Sequence, residues 1–123
     1  MEPDDASKRD PGKAASQLRK GVIEYCVLAL LRNGPLYGVE LLRELGAVEV
    51  MATSQGTIYP LLSRLRREEL VETTWQESPS GPPRRYYALT ESGRSALAEF
   101  TAAWPDFRNA VDHFLANTPG EQS

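Results

Sequence analysis

The sequence predicts a mainly α-helical chain with one small β-hairpin. Apolar residues recur at helical spacing as far as Leu70, the period falls from 3.6 to 2 between Val71 and Leu89, and an alternating three-and-four spacing then runs to Phe114. A chain of 123 residues carries one small core.

Composition narrows the function. A formal net charge of −3 argues against binding polyanions through bulk charge, so any nucleic-acid contact must be local. The single cysteine, Cys26, lies in an apolar run and reads as a buried structural thiol. With no signal peptide and no apolar stretch near about 18 residues, the expected compartment is the cytoplasm, with no membrane partner. The lone histidine, His113, has no second ligand at metal spacing. A phosphate loop, a nucleophile elbow and an acid/base pair are also missing, so neither an enzyme nor a cofactor is expected.

Taken in order, residues 1–15 mix Pro, Gly and alternating charge and read as a disordered tail, in which Lys8, Arg9 and Lys13 are solvated. From Ser16 to Arg32, Leu18, Val22, Ile23, Cys26, Val27, Leu30 and Leu31 form a helical stripe widened by Tyr25 and Leu28. So broad an apolar surface needs cover on two sides. Asn33-Gly34-Pro35 ends that helix, and a second runs from Tyr37 to Leu45, closed by Gly46. Val48 to Met51 alternates and reads as a brief strand.

The third helix, Ser54 to Leu70, organises the rest. Ile58, Leu61, Leu62 and Leu65 line one side, while Gly56, Pro60, Ser63 and Arg67, flanked by Thr57, Tyr59 and Arg64, fall on the other. Ser54 or Thr53 is the expected cap, and Pro60 is expected to bend the helix slightly. Two strands follow, Val71 to Gln76 and Arg84 to Leu89, around a loop from Glu77 to Pro83, with Arg84 and Arg85 at the tip. This order is the plan of a winged helix-turn-helix unit over residues 16–89.

Thr90 then caps a final helix over residues 90–116, kinked near Pro105. Its seam, Leu97, Phe100, Trp104, Phe107, Val111 and Phe114, has coiled-coil spacing and predicts a homodimer. Residues 117–123 read as a frayed tail.

The run Ser54-Gln55-Gly56-Thr57-Ile58-Tyr59-Pro60-Leu61-Leu62, with Arg84-Arg85-Tyr86-Tyr87-Ala88-Leu89-Thr90, resembles the PadR-like transcriptional regulators. Tyr37-Gly38 followed by Glu40-Leu41 is similar to the motif that opens their second helix. The resemblance implies a bacterial repressor binding operator DNA as a dimer, with its third helix in the major groove and its wing on the backbone or minor groove. A single C-terminal helix is similar to the short subfamily, some members of which hold flat, often cationic drugs between two tryptophans at the dimer interface; Trp104 occupies the corresponding position. Three positions depart from the pattern: Glu69 replaces a glycine, Val39 an aromatic and Ala88 a basic residue. A different end to the third helix is expected from the first of these.

The expected DNA-facing set is therefore Tyr37, Ser54, Gln55, Thr57, Tyr59, Ser63, Arg64, Arg67, Arg84 and Arg85. Gln55 suits adenine, and Thr57 and Tyr59 suit the thymine methyl. Ser63 and the arginines suit phosphate. Phe100, Trp104 and Phe107 form the expected slot for a planar aromatic or cationic effector, with Asp106 as counter-charge. The competing expectation is a winged-helix scaffold that binds protein and not DNA.

Overall fold

The structure, a computed structural model, describes residues 12–116. The tail expected over residues 117–123 lies outside this range, as do residues 1–11 of the N-terminal tail.

The first helix, α1, spans Lys13–Leu30, so it begins three residues before the expected Ser16, and residues 13–15 belong to it rather than to a tail. Lys13, Ala14 and Ala15 are good helix formers with no breaker among them. A 3-10 turn over Leu31–Asn33 follows, and Gly34, at φ 141°, turns the chain.

Leu36–Tyr37 then forms a two-residue strand, β1, too short for any period to reveal. The next helix, α2, spans Gly38–Gly46, and Tyr37 caps it by donating its backbone N–H to Glu40 Oε1 at 3.1 Å.

The brief strand expected at Val48 to Met51 is instead a 3-10 turn over Glu49–Met51. No neighbouring strand pairs with it, so its backbone bonds close locally, Met51 N–H to Val48 O at 2.8 Å and Ala52 N–H to Glu49 O at 3.1 Å.

The third helix, α3, spans Gln55–Arg67 and runs unbroken through Pro60. Ser54 is its N-cap by backbone geometry, but its hydroxyl makes no capping bond; its carbonyl accepts from Thr57 and Ile58 instead. Ile58, Leu61, Leu62 and Leu65 are buried together with Ile23, Val27 and Leu28 of α1 and Leu41 and Leu45 of α2. Each such side chain contributes about 1.5–3 kcal/mol by leaving water.

Strands β2, Val71–Ser78, and β3, Gly81–Leu89, form the wing, and β1 joins β3 on its other side to give the antiparallel order β1-β3-β2. The strands take in most of the loop expected from Glu77 to Pro83, leaving only Pro79 and Ser80 between them. Gln76 pairs with Arg84 and Ser78 with Gly81, so three steps on β3 face two on β2. The extra residue falls at Pro82-Pro83, which have no N–H to give to the ladder, and Ser78 Oγ donates to Pro82 O at 3.0 Å.

The last helix, α4, spans Glu91–Ala116 and is continuous through Pro105. Thr90 caps it as expected, Oγ1 accepting from Gly93 N–H at 2.9 Å. The same hydroxyl donates to Glu69 O at 2.7 Å, which ties the start of α4 to the end of α3. The chains approach so closely here that a Cβ on Gly93 would run into the Leu70 carbonyl.

The end of α3 corrects the expectation that replacing glycine would change it. Leu70 N–H reaches Leu65 O at 2.9 Å and Glu69 N–H reaches Arg66 O at 3.0 Å, the paired bonds of a Schellman cap, with Glu69 itself at φ 62°. The cap geometry survives because the Thr90 and Leu70 bonds enforce it, and Glu69 holds a conformation that disfavours a Cβ by about 1–2 kcal/mol. Replacing Glu69 with glycine is therefore expected to stabilise the fold by about 1 kcal/mol, read as a raised midpoint in urea denaturation at unchanged slope. A lowered or unchanged midpoint would contradict the strain assigned to this residue.

Candidate nucleic-acid interface

Because α3 buries one stripe, its opposite side is turned to solvent. Ser54, Gln55, Thr57, Tyr59, Ser63 and Arg67 are all exposed there, around Gly56 and Pro60. The surface is small and hydroxylated over its first two turns and cationic at its end, where Arg66 and Arg67 have no ion pair among the described residues. Tyr59 lies across the start of α2: a Cβ on Gly38 would fall 2.5 Å from the Tyr59 ring and hydroxyl, so glycine there makes room for it.

Arg64 departs from the expectation of a free phosphate contact. Its Nη2 donates to Glu24 Oε1 of α1 at 2.8 Å, and its Nη1 sits 3.2 Å from Glu68 Oε1 one turn on. The hydrogen bond to Glu24 pushes the guanidinium pKa above its ordinary value, against the desolvation that lowers it. The spacing within α3 places Arg64 on the flank, and nothing in the sequence shows that a carboxylate from α1 meets it.

The wing separates its two arginines. Successive strand residues face opposite ways, and Arg84 shares a face with Tyr86, whose β1 partner is Tyr37. Arg84 Cζ lies 4.5 Å above the Tyr37 ring, and Tyr37 and Tyr86 meet edge to face at 5.3 Å. Arg85 sits on the other face, 4.9 Å from its cross-strand partner Trp75. Its Nε is enclosed and makes no hydrogen bond among the described residues. Arg84 and Arg85 thus do not form one phosphate clamp. Each cation–π contact contributes about 0.5–1 kcal/mol and presets its guanidinium. Tyr37 thereby supports Arg84, next to the Gly38 on which Tyr59 rests. Trp75 was not among the expected site residues, although it is 64% exposed on β2.

The α4 seam divides in two. Leu97 is only 7% exposed and packs in the chain's own core, so it is removed from the expected dimer interface; α1 and the wing already cover that turn. Phe100 is half-buried, stacked on Tyr25 of α1 at 4.2 Å and 6°, and Trp104 continues the stack at 5.7 Å and 19°. Beyond it Phe107, Val111 and Phe114 are exposed, as is Leu18 of α1. Between α1 and α4 lies an apolar groove of about 420 Å³ lined by Leu18, Val22, Trp104, Phe107 and Val111. Its charged residues are Arg108 and Asp112; Asp106, the expected counter-charge, does not line it. Elsewhere Cys26 is half-buried beside a cleft of about 460 Å³, and burial pushes its thiol pKa up, as suits a structural thiol. No helix among the described residues is long and apolar enough to cross a membrane.

The family model of the PadR-like transcriptional regulators matches residues 27–99, which take in α2, α3, the wing and the start of α4. A PadR-like transcription factor of Bacteroides fragilis is 40% identical, with 82% of this chain and 97% of that one covered, at a TM-score of 0.69. A PadR-like transcriptional regulator of Bacillus cereus is 37% identical, with 83% and 99% covered, at 0.73. A PadR family regulator of Eggerthella lenta is 31% identical, with 87% and 93% covered, at 0.78. Matched over these residues and at these identities, this chain belongs to the PadR-like family of transcriptional regulators and is a DNA-binding regulator, not an enzyme.

Proposed function

We propose that the protein is a cytoplasmic repressor that binds an inverted-repeat operator as a homodimer and is released by a planar effector held at the dimer seam. The observation that carries the DNA contact is the uncovered outer side of α3, whose Ser54, Gln55, Thr57 and Tyr59 are exposed at the end that enters the major groove in helix-turn-helix docking. Gln55 reads adenine, Thr57 and Tyr59 lie against thymine, and Ser63, Arg67 and Arg84 hold phosphates. Two copies set their α3 helices roughly 34 Å apart, one turn of B-DNA.

Support for the dimer comes from the distal half of α4. Phe107 at 68% and Phe114 at 73% exposure are apolar side chains that a single copy leaves in water, and Leu18 at 71% lines the same groove as Phe107. A second copy supplies the cover that coiled-coil spacing calls for. The effector reading draws on the Phe100–Trp104 stack, which lines the groove together with Asp112 and is suited to stacking and cation–π attraction.

Four outcomes are expected. Gln55→Ala weakens operator binding by about 1–3 kcal/mol and relaxes the preference at one base pair per half-site, measured by binding to a library of operator variants. Footprinting of the wild type protects two symmetric half-sites; a single unsymmetric patch would oppose the reading. Phe107→Glu, which puts a charge into the seam, converts a micromolar dimer to monomer in sedimentation equilibrium and abolishes the symmetric footprint. Planar cationic dyes quench tryptophan fluorescence of the wild type and lose that effect in Trp104→Ala, where only Trp75 still emits; equal quenching in both would remove the effector site from Trp104.

A further inference from the structure

We propose that Glu24, assisted by Glu68, withholds Arg64 from the DNA backbone and so acts as a positioning residue that lowers the affinity of α3 for DNA of any sequence. The inference rests on the DNA-facing reading of α3 and concerns which of its cations DNA can use.

Three arginines lie near the end of α3, and only one of them is partnered. Arg66 and Arg67 are exposed and have no ion pair among the described residues, whereas Arg64 bonds two carboxylates at once. Nη2 goes to Glu24 at 2.8 Å, while Nη1 meets both oxygens of Glu68, at 3.2 and 3.3 Å. One guanidinium between two carboxylates carries a local charge of −1, so the group itself offers an approaching phosphate no net attraction.

Glu24 is also not free to swing aside. The neighbouring Tyr25 ring is stacked on Phe100 at 4.2 Å, Ile23 is buried on its other side, and the Glu24 side chain is itself only 24% exposed. A phosphate must therefore break a charge-assisted bond to a partly buried, positioned acid, which is harder than displacing a mobile surface partner.

The functional consequence follows from what phosphate contacts do. They add affinity without regard to sequence, whereas base contacts discriminate. One fewer usable cation per subunit lowers affinity for every sequence alike and makes it less dependent on salt, while the base-reading residues are left untouched.

The test measures binding of the full chain to a random-sequence 30-base-pair duplex by fluorescence anisotropy across a salt series. Each phosphate contact adds about 0.9 to the slope of log affinity against log salt. Arg64→Gln is expected to keep the wild-type slope, whereas Arg67→Gln lowers it by about 0.9 per subunit. Glu24→Gln is expected to steepen it by about 0.9 per subunit and to tighten binding, and Glu24→Gln/Arg64→Gln to return to the wild-type slope. A slope lowered by Arg64→Gln, unchanged in Glu24→Gln, or still steep in the double variant would each overturn the proposal. Thermal melts accompany each variant; if Glu24→Gln does not fold, the Arg64→Gln and Arg67→Gln pair decides alone. Wild-type binding that is absent or insensitive to salt would instead overturn the DNA-facing reading of α3 itself.

Discussion

The burial of Ile58, Leu61, Leu62 and Leu65 in one cluster with α1 and α2 is the contact on which the rest of the arrangement depends. A helix that commits one side to the core must turn the other outward, and at 3.6 residues per turn that other side contains Gln55, Tyr59, Ser63 and Arg67. Packing energy thus turns this side of α3 to solvent. The same reasoning explains Gly38, whose missing Cβ lets Tyr59 lie flat across the start of α2 and joins the reading surface to the cap of the neighbouring helix.

A second constraint sits at the corner where α3, β2 and α4 meet. Thr90 spans it, donating to Glu69 O and accepting from Gly93 N–H, while Thr90 N–H bonds Leu70 O at 3.2 Å. The corner is tight enough to exclude a side chain at Gly93 and to hold Glu69 in a left-handed conformation. It links the end of α3 to the helix that bears the exposed apolar seam.

Charge is arranged locally, against the chain's overall balance. In a chain with a formal charge of −3 the arginines are held by pairing as much as by position. Arg84 is preset on Tyr37, Arg85 on Trp75, and Arg64 is held between two carboxylates, which leaves Arg66 and Arg67 as the charges of α3 without an ion pair among the described residues.

By itself the sequence determined whatever depends on local period and punctuation: the buried stripe of α3, the change to strands at Val71, the Thr90 cap and the coiled-coil spacing of α4. These were legible because each is a repeated pattern or a residue acting on its chain neighbours. The family resemblance was legible for the same reason, since its motifs are contiguous. Tertiary structure alone decided which partner each side chain meets. Two residues at β1 carry no period, Val48 to Met51 alternates yet has no strand to pair with, and Leu97 belongs to the seam by spacing but to the core by contact. The Glu24–Arg64 pair joins residues forty positions apart, and the opposite facing of Arg84 and Arg85 reaches its partners Tyr37 and Trp75 only once the strands register. Such pairings depend on how separate elements come to rest against one another, information that no stretch of the chain holds on its own.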